Sequence, residues 1–174
     1  MSNKKLRKLI NETVQSENVF AKVLVDKDSP YLKSIILNKG SKDNIKIGMA
    51  IVDRSYLVGK IIEVNYTNSR ALLLSDLNSK IPVLLEPMDI HAVLSGTGKN
   101  YGAIEYTKDE YKKKINSNEI IVYTSGYGGL FKPGLPVGRI ITNNLNKDNQ
   151  VNFFSDFRQL DYVKIVSYEI GSGN

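Results

Sequence analysis

Cysteine is absent from the 174 residues, which excludes a disulfide framework, a cysteine zinc site and a thiol nucleophile and leaves the redox compartment unconstrained. Histidine occurs once, so any general base built on imidazole rests on His91. No run approaches the roughly 20 apolar residues of a spanning helix, and Met1 to Lys8 lacks the apolar centre of a signal peptide. The chain as written reads as soluble or as trimmed of an anchor. Adjacent carboxylates are scarce. Asp109 and Glu110 sit together on a lysine-rich segment, with too few donors nearby for a metal site, and no G-x-x-x-x-G-K phosphate loop occurs. No metal and no cofactor are therefore expected.

What is present is a hydrophobic content of 41%, enough for one ordinary domain or two small ones, and two are expected here. The net charge of +6 permits nucleic acid, anionic lipid or anionic polymer as partners. Because the lysines are scattered among 18 acidic residues, a solubilising surface is the plainer reading. Lys4, Lys5, Arg7 and Lys8, and the cluster Lys108, Lys112, Lys113 and Lys114, read as solvated segments able to lean toward wall polymer or lipid.

From Asn3 to Asn18 the period is helical, with Leu6, Leu9, Ile10 and Val14 on one stripe. Either the helix lies on the globular body or it ends a coiled coil begun upstream. From Val19 the period falls to two, and short strands follow, bounded by Gly, Asn, Asp or Ser. They are expected near residues 19–25, 34–38, 49–53, 57–65, 70–74 and 82–86, then 91–95, 102–106, 120–124, 136–142, 151–155 and 162–168. Such spacing means a barrel or a sandwich.

The stretch Thr124 to Gly138, TSGYGGLFKPGLPVG, concentrates five glycines and two of the five prolines. Gly126, Gly128 and Gly129 allow positive φ, and Pro133-Gly134 suits the central positions of a type II turn. Tyr127, Leu130 and Phe131 must plug a barrel end, bridge two domains or meet a partner.

The two strand series echo each other. LVGKIIEVN from Leu57 is followed by Ser75-Asp76-Leu77, and PVGRIITNN from Pro136 by Ser155-Asp156-Phe157, at offsets of 79 and 80 residues. AKVL at Ala21 is matched more loosely by HAVL at His91. A duplicated small barrel accounts for this. Gly59 and Gly138 would sit where a Cβ crowds the adjacent backbone, and Asp76 and Asp156 would cap backbone amides in turns.

LNKGSKDNIKIGMAIVDRSYLVGKIIEV, SRALLLSDLNSKIPVLL and EIIVYTSGYGGLFKPGLPVGRI together resemble the extracytoplasmic region of the rod shape-determining MreC family, over Val19 to about Tyr168. Asn44 departs from the glycine common there, although asparagine also tolerates the left-handed conformation. The resemblance implies a mainly β fold: an N-terminal helix as coiled-coil remnant over residues 1–18, then two small tandem six-stranded β-barrels. Their expected spans are 19–88 and 89–170, with the last strand open to return to the first barrel. It also implies a bacterial single-pass membrane protein, anchored through a missing N-terminal segment, with this region on the extracytoplasmic side. Such a protein would be a non-enzymatic scaffold for the cell-wall elongation machinery and cell shape. Implied partners are a second copy as homodimer or higher assembly, MreD, the actin-like MreB and a class B penicillin-binding protein.

Two other readings compete. A chymotrypsin-like double barrel would recruit His91, an aspartate and Ser125, but the glycine pattern is not G-x-S-x-G and His91 falls in the second strand series. A basic nucleic-acid-binding barrel would need aromatic and basic residues clustered in sequence, and the ten tyrosines form no such cluster. Self-association is therefore assigned to Leu6, Leu9, Ile10 and Val14. Gly126, Tyr127, Gly129, Leu130, Phe131, Pro133 and Gly134 form a structural loop or partner contact, with no catalytic residue and no nucleic acid.

Overall fold

Alternation of buried and exposed side chains organises the computed structural model, which describes residues 14–15, 18–28, 32–107, 119–129, 131–141 and 150–170. The strands among them are, in chain order, β1 (Val14–Gln15), β2 (Asn18–Asp28), β3 (Lys33–Leu37), β4 (Ala50–Asp53), β5 (Tyr56–Val64) and β6 (Ser69–Leu73). Then come β7 (Lys80–Glu86), β8 (Ile90–Gly96), β9 (Gly102–Thr107), β10 (Glu119–Thr124), β11 (Pro136–Ile141), β12 (Gln150–Phe153), β13 (Tyr162–Val166) and β14 (Glu169–Ile170). They close two six-stranded barrels, as the resemblance implies. The first runs β4-β5-β6-β3-β2-β13 and the second β10-β11-β12-β9-β8-β7, each joined end to end.

Written this way, the barrels share one strand order. β4, β5, β6, β3 and β2 correspond to β10, β11, β12, β9 and β8, but the sixth place is filled by β13 in the first barrel and β7 in the second. The division expected at residue 88 is corrected accordingly. β7 forms a hairpin with β8, from Lys80 opposite Ser95 to Leu85 opposite Ile90, so it belongs to the second barrel. β13 leaves that barrel and pairs with β2 on one side and β4 on the other.

The helix over residues 1–18 also needs correction at its end. Val14 and Gln15 pair antiparallel with Ile170 and Glu169, and Asn18 already opens β2, so backbone groups a helix would use internally are given to strands. Leu6, Leu9 and Ile10 lie outside the described residues.

The duplicated positions are built alike. A Cβ on Gly59 would stand 2.2 Å from the Leu72 carbonyl oxygen, and one on Gly138 would stand 2.4 Å from that of Asn152. Asp76 accepts the Asn78 N–H at 2.8 Å and Asp156 the Arg158 N–H at 3.0 Å, both two residues ahead. Asn44 adopts φ 65, the left-handed conformation asparagine tolerates, closing the turn Ser41–Asp43.

Inward residues of the first barrel, among them Ile35, Leu37, Ile51, Val58, Ile61 and Ile165, form one core. Their outward neighbours Ala50, Val52, Leu57, Leu74 and Val166 are also buried, in a second core shared with Ile81, Val83, Leu85, Ile120, Val122 and Ile140 of the other barrel. The barrels therefore share an apolar seam. Large apolar side chains buried there contribute about 1.5–3 kcal/mol each, so separating the barrels would be costly.

Candidate interaction surface

The loop from β10 to β11 is built on one hydroxyl. Thr124, 1% exposed, donates its hydroxyl hydrogen to the Lys132 carbonyl at 2.7 Å and accepts the Leu135 N–H at 2.9 Å. Those are the two groups that an ordinary four-residue turn over Lys132–Leu135 would pair directly, so the side chain sits inside the turn and spreads it. Gly134 at its third position has φ 84, as a type II turn requires. Ahead of it Gly126, Gly128 and Gly129 have φ 74, 74 and 69, and Ser125 holds the entry by accepting the Tyr127 N–H at 3.2 Å. Pro133 is the neighbour a Cβ on Gly126 would strike, at 2.9 Å.

This scaffold sends its aromatic residues in opposite directions. Phe131 is 2% exposed and belongs to the core shared by the two barrels. Tyr127 is 74% exposed, its ring 6.5 Å from that of His91. Leu130 lies outside the described residues. The loop thus buries Phe131 between the barrels and leaves Tyr127 exposed at its tip. Beside it an open groove of about 270 Å³ runs between the barrels, walled by Ile47, Met49, Phe131, Leu135 and Tyr168 with Lys46 and Lys132 at its rim.

A larger cleft of about 370 Å³ is lined by Phe153, Phe154, Phe157, Lys99 and Arg158. Next to it, Tyr56 of the first barrel meets Phe154 of the second at 5.1 Å between ring centroids. Arg54 lies 5.3 Å from the Tyr56 ring and Arg139 5.4 Å from the Phe154 ring. This four-residue stack was invisible in the sequence, because its members come from separate barrels and only the register brings them together. Phe20, Leu24 and Tyr162, all on the first barrel, are also exposed, and only the β2–β13 register groups them.

Electrostatics here hold structure in place. The Lys80 ammonium, 3.0 Å from Glu105, keeps that carboxyl below the ordinary carboxylate range. Arg158 does the same to Asp156. Burial, with Asp89 second, pushes Glu86 upward. Ser125 spends its hydroxyl on the loop and His91 is exposed against Tyr127, and among the described residues no hydrogen bond joins the two. Among the described residues no three His, Cys, Asp or Glu gather as a metal site. The same residues contain no helix long and apolar enough to cross a membrane.

With this geometry in hand, comparison with known proteins is specific. The family model for the barrel core of the rod shape-determining protein MreC matches residues 23–167. A cell shape-determining protein MreC from Cereibacter sphaeroides is 33% identical over 149 residues, 85% of this chain and 48% of the relative. The chain spans about half the length of the curated relatives it matches. An MreC structure from Listeria monocytogenes superposes with a TM-score of 0.77 at 20% identity, covering 99% of this chain and 88% of that one. The same fold recurs in a complex between the penicillin-binding protein PBP2 and MreC from Helicobacter pylori. That match has a TM-score of 0.63 and 12% identity, covering 88% of this chain and 99% of the other.

Proposed function

This chain belongs to the MreC family of rod shape-determining proteins, and we propose that it is a non-enzymatic scaffold that organises the cell-wall elongation machinery through protein contacts. The observation that carries the reading is the family match over the whole barrel core, together with the recurrence of this fold in the PBP2–MreC complex. A class B penicillin-binding protein is accordingly the first partner. The exposed tip at Tyr127, the groove beside Phe131 and the stacked cleft at Tyr56 and Phe154 supply contact surface on a body whose two barrels share a core. Rigidity suits a scaffold, since partners held on two barrels keep a fixed mutual geometry.

The remaining partners belong to the same proposal. Self-association through the Leu6, Leu9 and Ile10 stripe is part of it, with Val14 of the same stripe paired to Ile170. MreD and MreB join through the full-length protein, which is anchored in the cell membrane by a single span with these barrels outside it.

Depletion of the full-length protein in its own cells tests this. Cells should lose their rod shape and regain it with the parent chain restored, while the class B penicillin-binding protein ceases to localise with the elongation machinery during depletion. Unchanged shape and unchanged localisation would remove the scaffold role.

A further inference from the structure

The outward face of the β2–β13 pair carries a pattern that neither the core nor the loop uses. In the antiparallel register Tyr162 stands opposite Lys22, and Lys164 stands opposite Phe20. Alternation turns Ala21, Val163 and Ile165 into the first barrel, where each is buried, and leaves the other four on the outside. Phe20 is 68% exposed, Tyr162 65%, and Leu24, next on the same strand face, 53%. Aromatic and lysine side chains thus alternate both along and across the strands. Between Asn18 and Leu24, and between Tyr162 and Val166, there is no carboxylate. Neither Lys22 nor Lys164 makes an ion pair among the described residues.

Three large apolar side chains grouped on a rigid wall form a contiguous patch, unlike apolar residues scattered singly. Several occupants are disfavoured by the chemistry. A second copy docked face to face about a two-fold axis would bring Lys22 and Lys164 against their own counterparts, with the exposed Asp161 beside Tyr162 only a partial offset. A strand cannot be added, because the barrel is closed and has no free edge here. A sugar polymer would find only one hydroxyl and two ammonium groups among five side chains.

We propose that this face docks a segment of another protein that presents carboxylates to Lys22 and Lys164 and apolar side chains to Phe20, Leu24 and Tyr162. The inference deepens the scaffold reading, on which it rests, by giving one partner surface its chemistry. Phe20 and Tyr162 are the anchors, and the two lysines set orientation and exclude basic competitors.

The test follows backbone amide shifts of the isotopically labelled chain while two synthetic peptides are added, one alternating Glu with Phe and Leu, the other carrying Lys for every Glu. The acidic peptide should shift amides at 19–24 and 161–165 and the basic one should not. Lys22→Glu with Lys164→Glu should exchange that preference, and Phe20→Ser with Tyr162→Ser should weaken binding at least about tenfold. The amides of these two strands also report whether each variant remains folded. Shifts elsewhere, or indifference to the charge exchange, would overturn the proposal. So would phosphatidylglycerol vesicles bound through these residues without peptide preference, or loss of self-association in the Phe20→Ser, Tyr162→Ser variant. The depletion experiment does not touch this face, so failure here with success there would confine the error to the surface.

Discussion

Ser155 donates its hydroxyl hydrogen to an Asp53 carboxylate oxygen at 2.8 Å, joining the two barrels across 102 residues of sequence. Ser155 is buried two residues past β12, and Asp53 ends β4, so the bond lies where the shared seam meets the Tyr56–Phe154 stack. Ser155→Ala should destabilise the chain by about 1–2 kcal/mol, because the carboxylate loses a partner in a half-buried position. Urea unfolding of Ser155→Ala, Asp53→Ala and the double variant should give a coupling of about 1 kcal/mol. Simple additivity would mean the bond contributes nothing to joining the barrels.

The Thr124 hydroxyl supplies a second test. Thr124→Val keeps the shape but strands the Lys132 carbonyl and the Leu135 N–H, costing about 1–3 kcal/mol, whereas Thr124→Ser should recover most of that. Equal melting temperatures for the valine and serine variants would show that the hydroxyl does not organise the loop.

Glycines separate two causes of strain. Gly59→Ala and Gly138→Ala place a Cβ against backbone oxygen at 2.2 and 2.4 Å, so both should cost more than Gly134→Ala, whose Cβ would meet nothing within 4 Å and pays only for its φ of 84. The Gly134 change should cost about 1 kcal/mol. Thermal unfolding that ranks Gly134→Ala as the worst would contradict the duplicated-bend account.

The carboxylates give opposite pH signatures. Glu86, raised by burial, disfavours its ionised form in the fold, so stability it contributes is present below its unfolded pKa and is lost as pH rises through the folded one. Glu86→Gln should therefore stabilise the chain at pH 7, with the gain vanishing at acid pH. Glu105, lowered by Lys80, contributes above the unfolded pKa and loses that contribution as pH falls through the folded one. Glu105→Gln should destabilise slightly at pH 7 and not at acid pH. Chemical denaturation at both pH values checks the two signs.

The exchanged strand predicts asymmetric behaviour. Removing residues 160–174 deletes β13 and opens the first barrel, while the second retains all six strands. Hydrogen exchange should then lose protection at Ile35, Ile51 and Ile61 well before Val83, Leu94 and Ile120. Uniform loss would show that neither barrel holds without the other.

The sequence carried much of this fold because its repeat is chemical as well as positional. Gly59 and Gly138 make the same close approach, and Asp76 and Asp156 share the same cap two residues ahead, though Asp76 also takes the Lys33 N–H; such local demands are readable wherever a turn or close approach dictates residue type. The sequence leaves the return of β13 to the first barrel open, but the place of β7 in the second was not readable, since every strand alternates in the same way and nothing local says which neighbour it takes. For the same reason Phe131, Gly126 and Gly134 could be placed in a constrained loop, yet the Tyr56–Phe154 stack and the Phe20–Lys164 and Tyr162–Lys22 pairs emerged only with register. Leu6, Leu9 and Ile10 form a helical stripe in sequence, but Val14 was drawn into pairing with Ile170, a long-range contact no periodicity records.

Binding to the extracytoplasmic domain of the class B penicillin-binding protein from the same cell tests the scaffold claim most directly. Biolayer interferometry with the folded chain immobilised should give saturable binding that survives Ser125→Ala and His91→Ala, since no chemistry at those residues is involved. Absence of binding at concentrations on the order of 100 µM, well above weak but specific association, would contradict the account.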